Sequence, residues 1–331
     1  MTGHPAIAMN ESGFTGDNLL DQAQPVYALA AVNLDLSTAD EVVRRATSRC
    51  ERAELKFSEL RYAPTTRAVM FELFDELRLT PQNTRVTVAH KPWMVAAKMV
   101  ELLIEPRWLA RGRQAEWYVQ NLHVDTAHLL FGRGSDALGD SWPDLQRAFV
   151  AMVRRFSPET ATDFLRGLAK AREACTNPTI GLVLAAMTDT WEDLDDSISG
   201  TRDQLDPTPG CLFWQAGEWS SVMPDLTIVH DDSTVAERWA QYLITEEPSS
   251  TAGLRLGDID IKLPHAVRGV SFVRSHDDAR VQVADLVAGA SAWFYADLAG
   301  LRPHEDLTIE LEAHGIGPLL QWFVGPALTV A

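Results

Sequence analysis

Apolar residues follow two patterns along the chain, and each predicts a different element. Short apolar runs bounded by turn residues predict strands, and they fall at 6–14, 26–33, 85–90, 226–229 and 267–273. Apolar residues at helical spacing predict helices, and they fall at about 38–53, 67–78, 93–104 and 279–298. Early strands followed by strand–helix pairs are typical of an α/β sheet with helices on its faces.

One long stretch interrupts this order. Residues 106–202 show mostly helical spacing and no clear strand pattern. We therefore predict an α/β fold with a mixed sheet, flanked by helices and carrying a large helical insertion. The predicted parts are 1–105 and 211–300 for the two halves of the core, 106–210 for the insertion and 301–331 for a tail without an assigned element.

The chain has 331 residues and a formal net charge of −17. Its composition is that of an ordinary globular protein. Its three cysteines, Cys50, Cys175 and Cys211, are far apart and form no C-x-x-C pair, so the sequence predicts neither a disulfide framework nor a thiolate zinc site. The N-terminus has no signal-peptide pattern, and no apolar run approaches the roughly 20 residues of a membrane span. We predict a cytoplasmic protein without membrane contact.

The charge is uneven along the chain. Residues 41–172 contain 21 Lys and Arg against 16 Asp and Glu, in a chain that is acidic overall. A polyanion would be repelled by most of the surface and admitted only along this basic segment. The segment has two interpretations, a surface that faces nucleic acid or a set of solvated helix faces.

Acidic residues stand at the ends of two predicted strands. Glu11 lies in Asn10-Glu11-Ser12-Gly13 at the end of the first strand, and Asp231 and Asp232 follow the strand at 226–229. The ends of strands in α/β sheets are common ligand positions. Asp232 or the following serine is also suited to cap the next helix, so Asp231 is the favoured functional residue.

A third acidic residue lies inside the helix predicted at 279–298. Gln282, Asp285 and Gly289 share one face of this helix. Burying an ionised aspartate is costly unless it is paired or bound to a metal. Carboxylates from Glu11, Asp231 and Asp285 would suit Mg²⁺ or Mn²⁺, and two such ions about 4 Å apart can activate water for phosphodiester cleavage.

These segments together resemble the bacterial and phage family known as domain of unknown function 3800. The resemblance rests on Asn10-Glu11-Ser12-Gly13, Glu54-Leu55-Lys56-Phe57-Ser58, Lys91 after a strand, Val229-His230-Asp231-Asp232 and Gln282-Val283-Ala284-Asp285. It covers roughly 6–104 and 224–299. It implies a ribonuclease H-like fold and a suspected metal-dependent nuclease activity.

The resemblance also assigns roles to residues of this chain. It implies that Glu11, Asp231 and Asp285 are catalytic carboxylates and metal ligands, and that Gln282 belongs to the helix motif. Lys56 and Lys91 would neutralise a scissile phosphate or hold a carboxylate, whereas a lysine after a strand is otherwise usually solvated. Asn10 stands where the family usually has Asp, so it is a neutral metal ligand at best.

Two functional hypotheses follow. The first is a metal-dependent phosphodiesterase that uses Mg²⁺ or Mn²⁺ on nucleic acid guided by the basic segment. The alternative is a catalytically impaired binding or regulatory protein that keeps the fold but, with Asn10, has lost the full metal site.

Overall fold

The structure is a computed structural model that describes residues 5–13, 16, 18–191, 204–244, 253–256, 259–262 and 267–326. It consists of two compact units. The sheet unit comprises Met1–Phe14, Val26–Ala89 and Pro207–Ala331, and the helical unit comprises Thr15–Pro25 and His90–Asp206. The longer segment of the helical unit thus begins at His90, whereas the predicted insertion begins at 106.

In the residues that the structure describes, eight strands form one large and one small sheet. They are β1 (Ala6–Ser12), β2 (Val26–Val32), β3 (Thr84–His90), β4 (Leu226–Asp231), β5 (Gly253–Leu256), β6 (Ile259–Lys262), β7 (Val267–Val273) and β8 (Leu320–Val324). The six-stranded sheet has the order β7-β4-β1-β2-β3-β8, and β5 pairs only with β6. β1 is antiparallel to β2 and parallel to β4, and β7 is parallel to β4. The predicted mixed α/β sheet is confirmed.

The described helices divide between the two units. They are α1 (Leu36–Cys50), α2 (Phe57–Leu60), α3 (Pro64–Glu76), α4 (Lys91–Leu103), α5 (Glu105–Ala110), α6 (Gln114–Val119), α7 (Leu122–Leu138), α8 (Ser141–Arg154), α9 (Pro158–Ala174), α10 (Pro178–Trp191), α11 (Thr208–Ser220), α12 (Thr234–Ala240), α13 (Ala279–Leu298) and α14 (Asp306–Ala313). Helices α4 to α10 form the helical unit. No described helix is long and apolar enough to cross a bilayer.

Strand β2 is buried along its whole length, as expected of a strand covered on both faces. Its residues Ala28, Ala30 and Val32 belong to the main core with α13. On the opposite face of the sheet, the Gln215 side chain of α11 donates hydrogen bonds to two residues of the neighbouring strand β3, to Thr87 Oγ1 at 2.9 Å and to the Arg85 carbonyl at 3.2 Å. Because side chains alternate along a strand, neighbouring residues of a strand contact different partners on the two faces of the sheet.

Helix α13 is the centre of the sheet unit. It packs against β1 and β2, with α1, α2 and α14 around it, and it is apolar on nearly all sides, as expected of a buried helix. Asp278 caps its start by accepting a hydrogen bond from Arg280 N. Gly289 leaves room for Phe57, because a Cβ on this glycine would lie 2.5 Å from Phe57 Cβ.

Two details differ from the sequence predictions. Helix α1 begins at Leu36, two residues before the predicted start at 38, and Asp35 caps it by accepting a hydrogen bond from Thr38 N at 2.9 Å. The tail, which had no assigned element, contains α14 and the edge strand β8, which is parallel to β3. Part of the predicted insertion, 192–203, lies outside the described residues.

The contact between Gly289 and Phe57 generates a stability prediction. We expect Gly289→Ala to lower the free energy of unfolding by about 1–3 kcal/mol, because the new methyl group meets the root of the Phe57 side chain. Gly210→Ala in α11 is the matched control: open space surrounds this glycine, so the substitution should be neutral or stabilising by up to about 1 kcal/mol. Urea unfolding measures both, and equal effects would contradict the packing argument.

Candidate functional site

The site begins where two parallel strands end side by side. Met9 of β1 is in register with His230 of β4, so Asn10 and Asp231 follow as neighbours. The Asn10 side chain is buried, and its amide nitrogen lies 3.3 Å from Asp231 Oδ2 and 3.4 Å from the carbonyl oxygen of Val281 in α13. Strand alternation therefore directs Asn10 and Asp231 towards α13.

Asp285 supplies a carboxylate from α13 itself. Burial raises its pKa to about 7, and the negative charges of Glu54 and Asp231 also raise it. The positive charge of Lys56 and a hydrogen bond from the Phe57 backbone oppose this rise. Asp285 therefore interacts electrostatically with these groups, and it is partly protonated near neutral pH.

Glu54 and Lys56 approach from the segment that precedes α2. Lys56 Nζ lies 3.3 Å from Glu54 Oε1, and the Ser275 hydroxyl donates to the same Glu54 oxygen. Burial lowers the pKa of Lys56, but Glu54, Asp285 and Asp231 outweigh this effect and raise it above its ordinary value. Lys56 thus remains a cation beside three carboxylates.

Gln282 holds this segment against α13. Its side-chain oxygen accepts a hydrogen bond from Leu55 N at 3.3 Å, and Leu55 is buried. The backbone between Glu54 and Lys56 is therefore anchored one helical turn from Asp285. We name Asn10, Glu54, Lys56, Asp231 and Asp285 together the acidic cluster.

Glu11 does not join the acidic cluster, which corrects its prediction as a ligand beside Asp231 and Asp285. Successive side chains of a strand point to opposite faces, so Glu11 is directed away from the face that carries Asn10. Its Oε2 lies 3.5 Å from Nε2 of the fully buried His230. His230 Nδ1 in turn lies 2.8 Å from the Asp231 carbonyl oxygen.

The structure places Lys91 in the helical unit, at the first position of α4, whereas the acidic cluster lies in the sheet unit. The Lys91 side chain is 1% exposed. Burial lowers its pKa to about 8, and the charges of Asp21 and Asp206 partly offset this effect. The charged residues that shift its pKa, Asp21 and Asp206, thus belong to the helical unit, and a role for Lys91 at a scissile phosphate stays a prediction.

The acidic cluster has the donor chemistry of a hard divalent cation site. Glu54, Asp231 and Asp285 provide carboxylate oxygens of the kind that Mg²⁺ and Mn²⁺ prefer. Asn10 uses its side-chain oxygen to accept from Glu11 N at 2.8 Å. Among the residues that the structure describes, no group of three or more His, Cys, Asp or Glu side chains forms a metal-ligand set, so a cation would have to draw these carboxylates together.

Two residues of this region escaped the sequence analysis as functional candidates. Glu54 stands two positions before Lys56, a spacing that places both side chains on one side of an extended segment. That spacing could have identified Glu54 from the sequence. No local pattern identifies Ser275, because the contact between its hydroxyl and Glu54 joins segments far apart in the sequence.

Comparisons of the chain with protein-family models, curated proteins and solved structures find no match. A functional argument for this chain therefore rests on its own geometry and charges.

The raised pKa of Asp285 predicts a pH dependence of stability in metal-free protein. Between about pH 4 and pH 7 the folded state holds a proton that the unfolded chain has released, so stability falls as pH rises through this window. We expect the free energy of unfolding to fall by at most about 2–3 kcal/mol from pH 5 to pH 8 because of Asp285. The Asp285→Asn substitution should remove that fall.

Urea unfolding in EDTA at the two pH values measures the effect. Asp232→Asn is the control, because Asp232 is exposed and adjacent to the acidic cluster in sequence. It should keep the wild-type dependence. An Asp285→Asn protein with the same dependence as wild type would contradict the assignment.

Proposed function

We propose that this chain is a divalent-metal-dependent phosphodiester hydrolase of ribonuclease H-like type that acts on nucleic acid. The observation that carries the proposal is the electrostatic interaction of Glu54, Asp231 and Asp285 with one another and with the cation Lys56, beside the ends of β1 and β4. Carboxylates that interact electrostatically at a strand end, with a raised pKa among them, are typical of catalytic sites.

The sheet topology supports the fold part of the proposal. β1 lies in the interior of the sheet, between its antiparallel hairpin partner β2 and the parallel strand β4. The mixed sheet, with α13 as a late helix across β1 and β2, agrees with the expected ribonuclease H-like arrangement. It also brings Asn10, Asp231 and Asp285, from three distant segments of that resemblance, to one place.

Glu54, Asp231 and Asp285 would hold Mg²⁺ or Mn²⁺. The bound cation would supply activation of water and stabilisation of the leaving oxygen. Lys56 neutralises charge on the scissile phosphate, and the Ser275 hydroxyl orients Glu54. Asp285 releases its proton when positive charge enters the cluster, because the ionised form is then favoured.

One observation favours a second candidate, a catalytically impaired binding or regulatory protein. Asn10 carries no charge, and its amide nitrogen lies within hydrogen-bond distance of Asp231 Oδ2. That contact occupies an oxygen that a cation would use. In this candidate the amide takes the place of a cation between β1 and β4, and the fold serves recognition without cleavage.

Calorimetric titration of metal-stripped protein with Mn²⁺ tests the proposal. We expect wild type to bind, and Asp285→Asn and Glu54→Gln to bind at least about tenfold more weakly, because each loses one charged ligand. Asp232→Asn should bind as wild type does. Cleavage of single-stranded DNA, RNA or a hybrid should disappear in Asp285→Asn with the fold retained by circular dichroism, and absence of Mn²⁺ binding by wild type would refute the proposal.

Asn10→Asp separates the two candidates. A carboxylate here repels Asp231, so we expect the metal-free variant to be less stable than wild type, and Mn²⁺ to restore its stability by binding the folded state. Mn²⁺ affinity should rise by about tenfold or more. If wild type already cleaves and the substitution leaves Mn²⁺ affinity unchanged, the impaired candidate fails.

A further inference from the structure

A cluster of two arginines and two aromatic residues lies on the surface of the sheet unit. The Arg61 guanidinium stands 4.3 Å from the centre of the Trp293 ring and 4.7 Å from that of Tyr62. Arg302 lies against the same Trp293 ring. We name Arg61, Tyr62, Trp293 and Arg302 the arginine–aromatic patch.

The patch is connected to the acidic cluster through Phe57. The backbone of Phe57 forms a hydrogen bond to Asp285, and its ring meets Trp293 edge-on with 6.1 Å between ring centres. Asp285, Gly289 and Trp293 follow one another at four-residue intervals on α13, which separates Asp285 from Trp293 by about 12 Å along the helix axis. A strand of a few nucleotides spans that distance.

The patch holds positive charge in excess of its acidic partners. Arg302 Nη2 forms an ion pair with Glu305 at 2.9 Å, whereas Arg61 has no carboxylate partner in the part of the chain that the structure describes. Burial, and to a lesser extent the charge of Arg61, lowers the pKa of Arg302. Two guanidinium groups that lie against the same indole ring and repel each other form a suitable site for an anion.

Tyr62 provides an open stacking surface. Its side chain is 72% exposed, and Arg61 Nη2 donates to its hydroxyl at 2.7 Å. Exposed aromatic rings beside arginines bind unpaired bases by stacking, while the arginines contact the phosphates. A duplex keeps its bases stacked on each other and offers Tyr62 no base face.

We propose that the arginine–aromatic patch binds single-stranded nucleic acid, with a base stacked on Tyr62 and a phosphate paired with Arg61. As the route by which a substrate strand reaches the acidic cluster, this assignment rests on the proposed function. As a binding site, it stands on the patch alone.

Binding is measured by fluorescence anisotropy with a labelled 20-nucleotide oligothymidylate, using the full chain in EDTA so that the strand stays intact. We expect Tyr62→Ala to weaken binding about tenfold, because one stacked base is lost, and Tyr62→Phe to bind as wild type does. Arg61→Gln should reduce the dependence of log K on log salt by about 0.7, since one phosphate contact is lost.

Two exposed residues of the same unit provide matched controls. Tyr242 is 62% exposed and Arg274 is exposed and paired with Asp277, so Tyr242→Ala and Arg274→Gln should bind as wild type does. Equal losses in Tyr62→Ala and Tyr242→Ala, tighter binding of a 20-base-pair duplex, or no binding by wild type would each overturn the proposal.

The two proposals fail in different ways. If the oligonucleotide binds through Tyr62 but is not cut with Mn²⁺ or Mg²⁺, the patch stands and the hydrolase proposal falls. If the strand is cut but Tyr62→Ala keeps wild-type affinity and KM, the hydrolase stands and the patch is wrong.

Discussion

The buried carboxylate of Asp285 on α13 is the constraint around which this region is organised. A helix that is apolar on nearly all sides carries the carboxylate of Asp285 into a region where burial opposes its ionisation. Lys56 and the Phe57 backbone offset part of this cost, so the segment before α2 must pack on α13. Gln282 anchors that segment through Leu55, and Gly289 leaves the space that Phe57 occupies.

The sequence predicted five of the six described strands of the large sheet and missed one edge strand, β8. Strands β1, β2, β3, β4 and β7 and helix α13 are strongly patterned, because burial on one or both faces requires apolar residues. The edge strand β8 lies in a tail whose pattern is mixed, and its pairing with β3 depends on a contact between distant segments. Local pattern does not encode such a pairing, so β8 was missed.

For the site, the sequence predicted segments more reliably than individual side chains. Asn10, Lys56, Asp231, Asp285 and Gln282 lie together, whereas Glu11 does not, because a shift of one residue along a strand moves a side chain to the other face. Glu54 was not predicted, because the resemblance assigns a role to Lys56 of the same motif and none to the carboxylate two residues earlier. Lys91 follows a strand as predicted, but it is buried among the groups of the helical unit.

The division into two units changes the interpretation of the basic segment 41–172. The segment runs through both of them, with 41–89 in the sheet unit and residues from His90 onwards in the helical unit, so its positive charges are divided between the two units. Near the acidic cluster its relevant cations are Lys56 and Arg61, and Arg302 joins them from outside the segment. In a chain with a net charge of −17, a polyanion can approach three carboxylates only where such cations are concentrated locally. Arg61 and Arg302 concentrate positive charge around Trp293, which lies on the same helix as Asp285.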